Sequence, residues 1–202
     1  MKDALPQTIY LKDYQVSPFL VDTTDLVFDL GDEQTRVTTN LAVRRNPDSS
    51  DKAAVLELNS KGDVQLQWIA IDGQRLDSSA YSIADNLLRV PNLSDSCVIS
   101  TEVLIQPQLN TSMMGLYRSR TMYCTQCEAE GFRRITYFPD RPDIMSVFTV
   151  KIVADKASYP VLLSNGNAIE RADLDGGRQS VTWHDPFKKP SHLFALVAGT
   201  LS

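Results

Sequence analysis

No apolar run in this 202-residue sequence is long enough to cross a bilayer. The stretch at residues 193–198, near the end, falls far short of the roughly 20 residues that a membrane helix needs, so no membrane partner is expected. Nor does the start, Met1-Lys2-Asp3-Ala4-Leu5-Pro6, carry the apolar segment of a signal peptide, which makes a cytoplasmic protein the expectation. Cysteine is scarce. Cys97, Cys124 and Cys127 are odd in number and irregularly spaced, unlike a disulfide framework and in keeping with a reducing compartment. Positive charge is not in excess either, since 20 Lys and Arg against 25 Asp and Glu leave a net charge of −5. The basic residues are scattered, and the densest pair, Arg133-Arg134, would point to opposite faces of a strand. Phosphate binding needs clustered cations that release counterions, so no nucleic-acid partner is expected. A phosphate loop, a catalytic triad and a His-Glu-x-x-His helix are all missing.

What the sequence has in quantity is alternation. Hydrophobic residues make up 43% and charged residues 22%, a balance that supports a well-buried core. The period of the apolar positions is two. Leu26, Phe28 and Leu30 alternate before a Gly31-Asp32 turn, and Val37, Thr39, Leu41 and Val43 alternate after it, which reads as a hairpin with one buried face. Val64, Leu66 and Trp68 lead through Ile69-Ala70-Ile71 to an Asp72-Gly73 turn. Ile99 to Ile105 and then Phe148, Val150 and Ile152 repeat the pattern. Asn165-Gly166 and Asp175-Gly176-Gly177 mark further turns, with strand-like runs at 159–164, 168–174, 179–183 and 193–198. About a dozen short strands predict an all-β fold, a twisted β-sandwich, as one domain over residues 1–202. The best helical signal is a short one at residues 140–147, where Asp140 could cap a turn begun at Arg141-Pro142. Pro and Ser at residues 46–51 mark a loop and not a domain boundary.

The stretch Tyr123-Cys124-Thr125-Gln126-Cys127-Glu128-Ala129-Glu130-Gly131-Phe132 stands apart. Its Cys-x-x-Cys lacks the second ligand pair of a structural zinc site, because only Cys97 and two histidines eight apart remain. A redox pair should open a helix in an α/β chain, and this chain reads all-β. Two reduced cysteines in or near a strand is the better reading. If the stretch is extended, Gln126, Glu128 and Glu130 share one face, with Cys127 and Ala129 on the buried reverse. Like charges on one face either bind something cationic, such as an ammonium group, or form a solvated acidic edge. Elsewhere, His184 beside Asp185 suggests a base with its carboxylate, but neighbours on a strand face apart and a surface histidine fits better. Trp183 and Tyr159 read as core or rim aromatics, and Asp140-Arg141-Pro142-Asp143 as a turn tied by an internal ion pair.

Cys124 to Arg133, followed by Ile135-Thr136-Tyr137 and Asp140-Arg141-Pro142-Asp143, resembles the signature of the bacterial aminopeptidase N family. Leu163-Ser164-Asn165-Gly166-Asn167, Asp185-Pro186-Phe187-Lys188-Lys189-Pro190 and Leu193 to Gly199 continue the resemblance in order, so that it spans residues 9–199. The resemblance implies an M1-type zinc metallopeptidase, an alanyl aminopeptidase that removes single N-terminal residues from peptides. It also implies that this chain corresponds to the saddle-like first β-domain, which packs on the catalytic domain of the same chain and closes its active site. Substrate-binding roles are implied for two residues: Glu128 for the α-ammonium of a peptide with a free N-terminus, and Gln126 for the pocket of the first side chain. Zinc is implied for the full-length parent. The Gly-Ala-Met-Glu-Asn motif and the His-Glu-x-x-His helix are not in these 202 residues, which are expected to bind no zinc and hydrolyse nothing alone. A free-standing β-sandwich binding module and a Cys124/Cys127 redox protein are the competing readings.

Overall fold

The period-two runs fold as strands in the computed structural model, which describes residues 10–200 except Lys52 and Asp63. The first residues of the chain, expected to carry no signal peptide, lie outside the described residues. Fifteen strands follow one another among the described residues. The first eight are β1 (Phe19–Leu30), β2 (Thr35–Arg45), β3 (Leu56–Asn59), β4 (Gln65–Ile71), β5 (Gln74–Arg75), β6 (Ser82–Ala84), β7 (Leu87–Val90) and β8 (Ser96–Ile105). After them come β9 (Gly115–Ser119), β10 (Met122–Gln126), β11 (Met145–Asp155), β12 (Val161–Ser164), β13 (Asn167–Leu174), β14 (Arg178–Pro190) and β15 (Leu196–Gly199).

They form three sheets. The large one runs β13-β14-β11-β1-β2-β8-β4-β5, the second β12-β15-β10-β9 and the third β3-β7-β6. The β1–β2 hairpin forms as the alternation implies, and the buried set Thr24, Leu26, Phe28 and Leu30 is in phase with Val37, Leu41 and Val43. A bulge between Val21 and Thr23 changes the phase of β1, so Phe19 and Val21 are buried on the same strand as Thr24 and Leu26. A one-residue slip without that bulge would turn Phe19 and Val21 to solvent. Buried residues from all three sheets, including Phe28 and Ile152, Leu58 and Leu88, and Tyr123 and Leu196, form one core cluster.

Two expectations are corrected. Residues 140–147 form no helix: Pro142-Asp143 is a turn and β11 begins at Met145. The alternation of Phe148, Val150 and Ile152 extends back to Met145, and strand pairing with β1 and β14 satisfies the backbone that a helix would have paired internally. The helical turns that do form among the described residues are 3₁₀ turns of three residues each, at other positions. Gly166 has the positive φ expected of the Asn165-Gly166 turn, which leads from β12 into β13 of a different sheet. Arg133-Arg134 sits in the 3₁₀ turn Phe132–Arg134 and not on a strand. None of the described helices is long and apolar enough to cross a membrane.

Candidate functional site

β10 is flanked by β9, which pairs Gly115 with Gln126, and by β15, which pairs Val197 with Cys124. Pairing stops at Gln126. The next residues bend back: the Gly131 amide donates to the Cys127 carbonyl at 2.8 Å, closing a turn over residues 127–131. The bend is tight enough that a Cβ on Gly131 would stand 2.3 Å from the Gln126 carbonyl oxygen and 2.8 Å from the Cys127 Cα. Only glycine fits so close an approach. The extended arrangement expected of this stretch is therefore corrected. Gln126, Glu128 and Glu130 are all exposed, but the last two leave from a turn, and Ala129 is exposed while Cys127 alone of the expected reverse face is buried. The Gln126 side-chain amide donates to the Glu128 carbonyl at 3.3 Å, so the two residues implied for substrate binding stand next to each other. The Glu128–Ala129 peptide is cis.

The turn is exposed, but its exits are not free. Phe132 comes directly after it, is fully buried, and packs edge-on against Phe138 at 5.0 Å, Phe194 at 5.2 Å and Phe148 at 6.0 Å. Aromatic pairs at such angles add to the area they bury. Arg133 then turns inward. Its backbone N–H and its Nε donate to Asp140 Oδ2 at 3.1 and 3.0 Å, and its Nη2 donates to the Asp140 carbonyl at 2.8 Å. The Asp140 side chain is 2% exposed, and it also accepts from the Ser191 hydroxyl. Nothing in the sequence marks this carboxylate as buried, because a cap or a turn is all that its local pattern suggests; its partners lie 7 and 51 residues away. A cleft of about 400 Å³ opens beside this network, lined in part by Glu57, Glu130, Arg133, Asp140 and Arg141.

The two acidic side chains of the turn differ in company. Glu130 pairs with Arg133 at 3.3 Å. Among the described residues no Lys or Arg stands within ion-pair distance of Glu128. The cysteines are not poised for chemistry. Burial pushes the Cys127 thiol far up and the Cys124 thiol up as well, which keeps both protonated and poorly nucleophilic. His184 Nδ1 lies 3.2 Å from the Thr149 hydroxyl, and its neighbour Asp185 is engaged by Lys189 at 2.7 Å and not by the histidine. Trp183 is half-buried with its indole N–H on the Leu162 carbonyl, and Tyr159 is buried. Arg141 and Asp143 make the ion pair expected of their turn, at 2.7 Å. Among the described residues no three His, Cys, Asp or Glu side chains converge.

A model of the peptidase M1 N-terminal domain matches residues 22–193. An aminopeptidase N of Caulobacter vibrioides is 49% identical over 201 residues, which cover 100% of this chain and 23% of that protein. The crystal structure of Legionella pneumophila aminopeptidase A in complex with aspartic acid superposes with a TM-score of 0.91 at 34% identity, over 95% of this chain and 22% of that one. An M1 zinc metallopeptidase from Deinococcus radiodurans, bound to a Tyr-Ser-Ala substrate, shares the fold at a TM-score of 0.76 and 16% identity, over 92% of this chain and 43% of that one. The chain spans under a quarter of the first two proteins.

Proposed function

The chain belongs to the peptidase M1 N-terminal domain family, and from that premise we propose that it serves a longer zinc aminopeptidase as the domain that receives the substrate's free N-terminus. In this reading Glu128 pairs with the α-ammonium group of a peptide, and Gln126 lines the pocket of the first side chain. The domain closes one side of an active site whose zinc and reacting groups belong to a catalytic domain of the same chain. The observation that carries the reading is the contrast within the turn: Glu130 lies 3.3 Å from the Arg133 guanidinium that Asp140 also holds, while Glu128 is exposed and has no cationic partner among the described residues.

The chemistry rests on that contrast. An exposed carboxylate is solvated and binds a cation weakly; covered by a second domain it loses water, and a charge-assisted bond to an ammonium strengthens. A substrate whose nitrogen lies in an internal peptide bond would leave the carboxylate buried and unpaired. The site would thereby reject internal bonds as well as accept free amines. Gln126, its amide tied to the Glu128 carbonyl, would hold the turn on the substrate side. On this reading the 202 residues alone hydrolyse nothing, because the reacting groups and the zinc donors lie in the catalytic domain. A cytoplasmic location is part of the proposal, and the free thiols of Cys97, Cys124 and Cys127 suit a reducing compartment.

Steady-state kinetics of the full-length enzyme test it. Glu128→Ala is expected to lower kcat/KM for amino-acid anilides by about thirtyfold or more, the usual cost of removing one partner of a desolvated charge pair. Unchanged kcat/KM would take Glu128 out of the site.

A further inference from the structure

Gln126 and the turn after it present exposed side chains apart from the buried Cys127, yet both ends of this stretch are tied to one other piece of chain. On the leading side, the Leu196 amide donates to the Thr125 hydroxyl at 2.8 Å, one residue before Gln126. On the exit side, Asp140 grips Arg133 three times, through the Arg133 amide, Nε and Nη2. Asp140 is itself held by Ser191, which begins the 3₁₀ turn leading into β15. Residues 191–196 thus support both flanks. A third tie comes from the end of β3: the Asp140 amide donates to Asn59 Oδ1 at 3.1 Å, beside the Asn59–Phe138 bridge, and the Lys61 amide donates to the Arg133 carbonyl at 3.0 Å.

Asp140 at 2% and Arg133 at 16% side-chain exposure form an ion pair that the fold has removed from water. Such a pair is weak evidence of stability, because desolvation of both charges offsets their attraction, whereas its fixed geometry specifies one arrangement. Here the arrangement reaches the turn, since the Arg133 guanidinium that Asp140 orients also takes Glu130 through Nη1 at 3.3 Å. Glu130, though exposed, stands against Arg133, and Glu128, two residues earlier, has no such partner among the described residues.

We propose that Asp140 is a positioning residue: through Arg133 it fixes the exit of the turn and pairs off Glu130, so that Glu128 is presented as the free carboxylate. The proposal rests on the reading that Glu128 binds the substrate amine. Asp140 touches no substrate and acts only by where it holds Arg133. An Asn in its place keeps the size but loses the charge, and its amide group cannot accept from Arg133 and Ser191 at once through both terminal atoms.

The test is a double-mutant cycle in the full-length enzyme, with Asp140→Asn, Glu128→Ala and the pair, and Arg133→Lys as a second probe that keeps the charge but lacks the fork. Asp140→Asn is expected to raise KM for amino-acid anilides about tenfold with kcat changed less than about twofold, as misplacement of a binding group does. In the Glu128→Ala background the same change should have no further effect on KM. Equal effects in both backgrounds, or a loss confined to kcat, would overturn the positioning role while leaving Glu128 in the site. A Glu128→Ala enzyme with wild-type kinetics would instead remove the reading on which the proposal rests. If Asp140→Asn does not fold, Arg133→Lys decides by the same two comparisons.

Discussion

Asp143 accepts two bonds from the Arg141 guanidinium, at 2.8 and 2.7 Å, and one from the Tyr14 hydroxyl at 2.8 Å. The Arg141 bonds hold its carboxyl below the usual carboxylate range against the opposing effect of burial. Asp185 is likewise held low by Lys189. Burial raises the Asp22 carboxyl, but bonds from Lys188 and Arg44 outweigh it and leave that group low as well. All three therefore have folded values below their unfolded ones. On acidification the unfolded chain takes up protons first, so the stability these groups contribute is complete above about pH 4 and lost as pH falls through their folded values. The melting temperature should stay level from about pH 8 to 5 and drop below about pH 4, and Asp143→Asn should flatten part of that drop. A melting temperature that rises on acidification would contradict the assignment. The Arg141–Asp143 pair is legible in the sequence because its partners are two residues apart. The Arg133–Asp140–Ser191 network is not, since Ser191 reaches Asp140 only when the β14–β15 connection folds back over the turn.

The turn of residues 127–131 owes its place to the ring directly after it. Phe132 enters a cluster with Phe138, Phe148 and Phe194, drawn from the segment before β11, from β11 itself and from the lead into β15. Phe132→Ala should cost about 3–5 kcal/mol, the range for emptying a large aromatic site, read as a lower denaturation midpoint. A loss below about 1 kcal/mol would mean that the turn is held by its polar ties and not by this ring. The strands around it are legible because alternation and hairpin turns are local signals. β4 meets β5 through Asp72 and Gly73, both at positive φ, as the Asp-Gly pair implies. The turn itself is illegible for the same reason: alternation of Gln126, Glu128 and Glu130 is what a strand would show, and the countersign is Gly131, whose close approach to the Gln126 carbonyl excludes any side chain. The parallel pairing of β1 with β11 is beyond local pattern altogether, because Leu26 and Val150 meet across 124 residues (150 − 26).

At the scale of the molecule, three sheets of the described residues close on one core, and the turn of residues 127–131 stands at the end of β10 in the four-stranded sheet. The all-β class and the family are legible in the sequence, the first from period-two runs and the second from motifs in a fixed order. The fold then separates the two acidic residues that the sequence leaves equivalent, by giving Glu130 an arginine and Glu128 none among the described residues. Under the proposed function, that separation would become selectivity for free N-termini once a second domain covers the turn. The most direct test compares two inhibitors of the full-length enzyme that differ only in the α-amine, an amino-acid ligand and its deaminated analogue. Binding constants are measured for wild type and Glu128→Ala. The wild type is expected to prefer the amine by about thirtyfold or more, and the variant to lose most of that preference while binding the deaminated ligand no worse. An amine preference that survives intact in Glu128→Ala would contradict the account.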